Sequence, residues 1–312
     1  MLLATAFPAK AGGQYSQFAL QVATALHQTD SSWELLVGPG RYVWGIKKYG
    51  TASGTTEIHM LNPSTGYRTF SLQTRTALPQ TGDNWKFLVA NNGDVFAIKK
   101  NNTETRTTEV YILSSASNYQ QISFQGGTAL HETDATWDFA LGLNRDIYAI
   151  KKSNTASGYT ELHILNAVSR YRGFTGHFVT ALHPTDATWA FAISPLADLF
   201  AIKKSGTGTG TTEVHLLSGE RQKHRYKYWL LQTGTALHQT DSTWEFGVTP
   251  DGDARYQDVY AFKKSNTASG RTEIHVLRRC IPPNFFVTCD IYSGVPVYGG
   301  SSTSAMKVTW TP

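Results

Sequence analysis

With 312 residues, 40% of them hydrophobic and 12% aromatic, the chain has enough apolar side chains to bury a core, which excludes a disordered polymer. No apolar run approaches the ~20 residues that span a bilayer, so no membrane span is expected. The net charge of +5 comes largely from lysines that recur as fixed pairs inside strand-like runs, not from a basic tail or patch, so nucleic acid is not an expected partner.

Residues 1–7 are mildly apolar but lack a basic n-region, and they read as part of the fold. The chain is therefore expected to stay in the cytoplasm, to leave by a non-classical route, or to have lost a leader already. Counting back from His27, residues 2–7 fall where a third strand of a repeat belongs and 15–21 where a fourth, outer strand belongs.

From Thr24 onward one repeat dominates. The string TALH-x-T-D-x-x-W begins at Thr24, Thr128, Thr180 and Thr235, with a variant at Thr76. Its tryptophans, Trp33, Trp85, Trp137, Trp189 and Trp244, are 52, 52, 52 and 55 residues apart. A lysine pair begins 14 residues after the tryptophan in the first four copies, at Lys47, Lys99, Lys151 and Lys203. The fifth pair, Lys263-Lys264, is displaced by an insertion around Asp251-Gly252-Asp253. A Thr-Glu-x-His block follows, with Glu57 and His59, Glu161 and His163, Glu213 and His215, and Glu273 and His275; copy two has Glu109 and Tyr111.

Each copy holds four strand-like runs, in copy three at 137–141, 146–151, 161–165 and 171–178, separated by turn signals such as Asn144-Arg145. Strands apolar on both faces, such as Ile147-Tyr148-Ala149-Ile150, must be covered on both sides. These features predict an all-β fold, a β-propeller of four-stranded antiparallel blades forming a single domain over 1–312. A linear β-solenoid is disfavoured because its coils are usually shorter than this repeat.

Beyond the last motif, 285–289 sits near a fourth-strand position, and further strand-like runs follow at 295–298 and 305–310. Pairing these two with the N-terminal strands gives a sixth, hybrid blade, which is the favoured reading, since 312 is six times 52. The alternative is five blades closed by 15–21, with 278–312 as an appendage. Cys280 and Cys289 in this segment are either a disulfide or two free thiols, and no further ligands at zinc spacing lie near them.

The TALH-x-T-D segment must cross the ring at the cleft between blades. An indole, an imidazole and a hydroxyl or carboxylate gathered there suit a sugar, whose apolar face packs on an aromatic ring and whose hydroxyls need fixed partners. The candidate sets are His27, Thr29, Asp30 and Trp33; His131, Thr133, Asp134 and Trp137; His183, Thr185, Asp186 and Trp189; and His238, Thr240, Asp241 and Trp244. Copy two has Pro79 and Gly82 in place of the histidine and aspartate, so that cleft is expected to be weak or empty. The competing reading makes the tryptophans inter-blade core and Asp30 a cap of the connecting turn.

The two lysines of a pair point to opposite faces of their strand and cannot share a role. One is expected to meet Glu57 or a neighbouring blade's carboxylate, the other to reach the cleft. Glu57 with His59 suggests an acid/base pair, but its recurrence in four copies argues for binding over catalysis. No nucleophile elbow, phosphate loop or zinc-protease motif is present, so neither an enzyme nor a cofactor or metal is expected.

The strings TALHETDATW, AIKKSNTASG and TEVHLL resemble the seven-bladed propeller lectins of Photorhabdus and their bacterial and fungal relatives, over residues 15 to about 277. The resemblance implies several sugar sites per ring, set between blades and independent of calcium. It also implies fucose, galactose-type or O-methylated glycans as ligands, and frequent homo-oligomers. Two features depart from that family: seven blades do not fit this chain, and 278–312 has no counterpart in it. The expected function is that of a multivalent lectin with four well-formed clefts, and a protein-interaction scaffold is the alternative.

Overall fold

The computed structural model describes residues 14–219, 225–249 and 257–279. Twenty strands build five four-stranded antiparallel sheets. Blade one holds β2 (Trp33–Val37), β3 (Val43–Lys47), β4 (Thr55–Leu61) and β5 (Phe70–Pro79). Blade two holds β6 (Trp85–Val89), β7 (Val95–Lys99), β8 (Thr107–Leu113) and β9 (Ile122–His131). Blade three holds β10 (Trp137–Leu141), β11 (Ile147–Lys151), β12 (Glu161–Leu165) and β13 (Phe174–Val179). Blade four holds β14 (Trp189–Ile193), β15 (Leu199–Lys203), β16 (Thr211–Leu217) and β17 (Trp229–His238). Blade five holds β18 (Trp244–Val248), β19 (Val259–Lys263) and β20 (Arg271–Leu277), completed by the N-terminal β1 (Phe18–His27).

The blade number corrects the favoured sixfold reading to five. The innermost strands β2, β6, β10, β14 and β18 contact one another in a closed ring, with β18 directly beside β2. β1 is consumed as the outer strand of blade five, with Val22 opposite Ile274 and Phe18 opposite Leu277. The third-strand place assigned to 2–7 is thus filled by β20, and no gap is left for a hybrid blade. Length divided by repeat misled because a ring closes where the twist and wedge of its sheets bring the first and last blades together. Residues 2–7, 285–289, 295–298 and 305–310, both cysteines and the 251–253 insertion lie outside the described residues.

The second strand of every blade is sandwiched between the neighbouring sheets, which is why it is apolar on both faces. Ile147, Tyr148, Ala149 and Ile150 are all 0–5% exposed. Each inter-blade cleft carries its own apolar core. Between blades five and one, Leu26, Tyr260, Phe262 and Ile274 meet Leu35, Val43, Leu61 and Tyr67. On its opposite face, toward blade two, blade one buries a large ring, Trp44, and a side-chain carbon at Gly38 would lie only 2.4 Å from it, so that position needs glycine.

A buried tyrosine at the turn before each outer strand locks neighbouring blades together. Tyr15, Tyr67, Tyr119, Tyr171 and Tyr226 have φ of 60–65°, left-handed geometry that is strained for an aromatic residue. Each carbonyl accepts the N–H of the alanine in a TALH or TALP segment of the preceding blade, as Tyr67 does from Ala25 at 2.9 Å and Tyr15 from Ala236 at 2.9 Å. Each hydroxyl donates to the backbone of its own blade, for example Tyr171 to Arg145 at 3.3 Å and Tyr15 to Gln257 at 3.0 Å. Tyr15 supplies this lock for blade five, so the N-terminal segment brings a turn as well as a strand.

Candidate functional site

Strand register, not chain proximity, assembles the repeated polar cluster. In blade one Trp33 lies opposite Lys47, Lys47 opposite Glu57, and His59 opposite Gln73. Because side chains alternate along a strand, these five residues share one face of the blade, the face turned to blade five. The same row recurs as Trp137, Lys151, Glu161, His163 and His177; as Trp189, Lys203, Glu213, His215 and Gln232; and as Trp244, Lys263, Glu273, His275 and Gln21. Blade two carries Trp85, Lys99, Glu109, Tyr111 and Gln125.

The geometry repeats closely. Trp33 packs on His59 with ring centroids 4.9 Å apart, and the equivalent pairs in blades three, four and five are 5.1–5.2 Å apart. The first lysine of each pair places Nζ 5.7–6.0 Å from the indole centroid, a cation–π distance. His59 Nε2 is 3.3 Å from Glu57 Oε2, and the equivalent distances are 3.5, 3.2 and 3.5 Å. The other glutamate oxygen accepts from a hydroxyl of the preceding turn: Ser53, Ser157, Thr209 and Ser269, at 2.7–2.9 Å.

The network assigns proton positions. Gln73 Nε2 donates to His59 Nδ1 at 2.9 Å, so Nε2 carries the proton and points it at Glu57. Burial, and then the neighbouring lysine, hold His59, His215 and His275 below the usual imidazole range, against the pull of the adjacent glutamates. In blade three burial and His177 push His163 down. Burial pushes Glu57, Glu161 and Glu213 upward, but hydrogen bonds from the turn hydroxyls and contact with the histidines outweigh it and keep these carboxyls low. At neutral pH the row therefore presents a neutral imidazole, a carboxylate, an ammonium and an indole. The side chains of these glutamates and histidines stay 12–20% exposed, so solvent reaches them.

The structure brings only part of the sequence-derived sets to this cluster. Trp33, Trp137, Trp189 and Trp244 belong to it and also brace the apolar cleft. Asp30, Asp134, Asp186 and Asp241 cap the connecting turn, each Oδ1 accepting from the N–H and hydroxyl of the residue two positions on, at 2.8 and 2.5 Å. Asp134 and Asp241 nonetheless lie near enough to Lys151 and Lys263 to feel their charge. Thr29, Thr133, Thr185 and Thr240 are buried, and their N–H groups donate to the carbonyls of Lys264, Lys100, Lys152 and Lys204 in the preceding blade. These threonines are spent on joining blades. His27, His131 and His238 end the outer strands in exposed positions, and His183, also exposed, lies four residues beyond the end of β13 and stacks on Tyr159 at 5.0 Å.

Sequence reasoning missed the outer-strand partners Gln21, Gln73, Gln125, His177 and Gln232. A signal was available, since Gln73, Gln125 and His177 each follow the central ring of the cluster by 14 residues. Among the described residues no three His, Cys, Asp or Glu side chains converge as metal ligands, and no helix is long and apolar enough to cross a membrane.

No protein-family model matches the chain, and no curated protein matches it in sequence. Distant structural likenesses do exist. An exo-β-1,3-galactanase from Phanerochaete chrysosporium is 11% identical, with a TM-score of 0.46 over 83% of this chain and 64% of the other. The α-L-arabinofuranosidase of Podospora anserina is 7% identical, with a TM-score of 0.45 over 86% of this chain and 93% of the other. TolB from Acinetobacter baumannii is 10% identical, with a TM-score of 0.34 over 78% of this chain and 53% of the other. The chain thus spans about half of TolB and just under two thirds of the galactanase.

Proposed function

We propose that the protein is a multivalent carbohydrate-binding lectin whose sites are the Trp–Lys–Glu–His rows at the inter-blade clefts of blades one, three, four and five. The observation that carries this reading is the near-identical recurrence of one partly exposed polar row beside an indole. The carboxylate can accept from sugar hydroxyls, the ammonium and the amide can donate, and the indole offers an apolar face, which together match the amphipathic surface of a pyranose. Repetition favours binding over turnover, because several weak copies gain avidity whereas a catalytic centre is normally single. The resemblance of the repeat to the Photorhabdus-type lectins points to fucose, galactose-type or O-methylated glycans.

Glycan-array screening followed by calorimetry tests this. The expected result is binding to one of those classes at four sugars per chain, falling to three in the Lys151→Ala, Glu161→Gln double variant. Silence across all three classes, or one sugar per chain, overturns it.

A further inference from the structure

The second lysine of each pair turns away from the cluster. Its N–H donates to the residue just before the next strand-opening tryptophan of its own blade, as Lys48 does to Ser32 at 2.7 Å and Lys204 to Thr188 at 2.8 Å. Lys48, Lys100, Lys152, Lys204 and Lys264 therefore stand beside the first residues of the ring-lining strands, one per blade, at one end of the axis. The residue after each tryptophan occupies the same layer: Glu34, Lys86, Asp138, Ala190 and Glu245.

Around blades five, one and two this layer is balanced. Glu245 accepts from Lys264 Nζ at 2.7 Å and from the N–H of Leu35 in blade one at 2.7 Å. Glu34 accepts from the N–H of Phe87 in blade two at 3.1 Å and meets Lys86 Nζ at 2.8 Å. These carboxylates cover the unpaired inner edge of the neighbouring sheet. Lys48 meets Asp83 at 3.1 Å.

Around blades two to four the pattern breaks. Blade two has Lys86 where blade five has Glu245, so Lys100 faces a like charge, and blade four has Ala190, so its own blade gives Lys204 no carboxylate in this layer. Asp138 turns back to its own Phe139 N–H at 2.8 Å and reaches Lys86 only at 3.7 Å. Lys100, Lys152 and Lys204 form no ion pair among the described residues. The rim aspartates near them, Asp186 and Asp241, are engaged as turn caps. Counting Asp83 beside Lys48, six lysines face four carboxylates, a surplus of two positive charges. Burial holds Lys100 and Lys204 below the usual lysine range, outweighing the pull of Asp138 on both and of Glu245 on Lys204.

We propose that the axial mouth at Lys100, Lys152 and Lys204 is a binding site for a small doubly charged oxyanion, of the phosphate or sulfate-ester type. Such an anion supplies the carboxylate that Ala190 and Lys86 withhold, and three ammonium groups donate to its oxygens. This site is independent of the cleft clusters, and it stands or falls without the sugar reading.

The test is thermal unfolding and calorimetry of the full chain with inorganic phosphate, against sodium chloride at matched ionic strength. Millimolar phosphate is expected to raise Tm by about 2–5 °C beyond the chloride control. Ala190→Glu, which restores the missing carboxylate, and Lys204→Met are each expected to weaken phosphate about tenfold or more. Two variants of opposite chemistry keep the outcome readable if one folds poorly. Galactose 6-sulfate against galactose separates the sources: a gain for the sulfated sugar that Lys204→Met removes assigns the oxyanion to a glycan. Phosphate binding without that gain assigns it to the free ion. Equal Tm in phosphate and chloride, or phosphate affinity unchanged in both variants, overturns the proposal.

Discussion

Clefts two and three share a scaffold but differ at the ring beside the glutamate. In blade three Trp137 packs on His163, whose Nε2 lies 3.5 Å from Glu161, and the glutamate remains half-buried. In blade two Trp85 packs on Tyr111 at 5.1 Å, and the phenol donates to Glu109 at 2.9 Å. There the glutamate is buried at 5% exposure, and burial together with Glu109 pushes Tyr111 up to about 12. The larger ring hydrogen-bonds the carboxylate directly and closes it off. The connecting segment of the same cleft carries Pro79 and Gly82, so it also lacks the aspartate that in cleft three, as Asp134, stands near Lys151. One inter-blade joint can thus be kept while the carboxylate that stays partly exposed in the other clefts is covered.

The largest expected effect comes from removing the indoles, which on the proposed lectin reading brace and bind in cleft three but only brace in cleft two. Trp137 and Trp85 are partly buried members of their apolar cores. Trp137→Ala and Trp85→Ala are each expected to lose about 2–4 kcal/mol in chemical denaturation. Only Trp137→Ala should also lower the number of sugars bound per chain, by one. An equal drop in both variants would erase the distinction between the clefts.

The fold was largely legible in the sequence because its determinants are periodic. The Trp spacing gave the blade, and Ile147 to Ile150, apolar on both faces, showed that each sheet is sandwiched. Blade number was not legible, since it rests on β18 meeting β2 and on Tyr15 acting as a turn lock, both long-range facts. The site was half legible. Trp, Lys and Glu-x-His were each visible as repeats, but their shared face depends on register across four strands. The part the motif threonines play in joining blades was not legible, because a buried N–H reaching the preceding blade leaves no mark in a sequence that a hydroxyl at a cleft would not also leave.

Rebuilding cleft two is a smaller and more direct test of that register argument. Tyr111→His restores the imidazole, Gly82→Asp restores the carboxylate, and Pro79→His restores the end of the outer strand. Gln125, which now reaches the phenol at 3.3 Å, is already placed to donate to an imidazole Nδ1 as Gln73 does. Calorimetry of the triple variant is expected to count five sugars per chain where the parent counts four. A count still at four would mean that cleft two is shut by its backbone, not by its side chains.

The smallest effect is one of pH, and it separates blade three from the other histidine blades. In the unfolded chain these imidazoles titrate near pH 6.5. In the fold they take up a proton only at lower pH, because burial disfavours the charge. Between those two points the unfolded chain binds more protons, so this contribution to stability is complete above about pH 6.5. It is lost as the pH falls and levels off once the folded imidazoles are charged too. Blade three has a second ring, His177, whose Nδ1 lies 2.8 Å from His163 Nδ1, where the other histidine blades have glutamine. His177→Gln recreates the blade-one pair and removes the repulsion that helps hold His163 down. Between pH 7.5 and 5.5 its Tm is therefore expected to fall by about 1–2 °C less than that of the parent. Superimposable pH profiles would show that the His163–His177 contact carries no proton-linked energy, and that blade three differs from blade one only in shape.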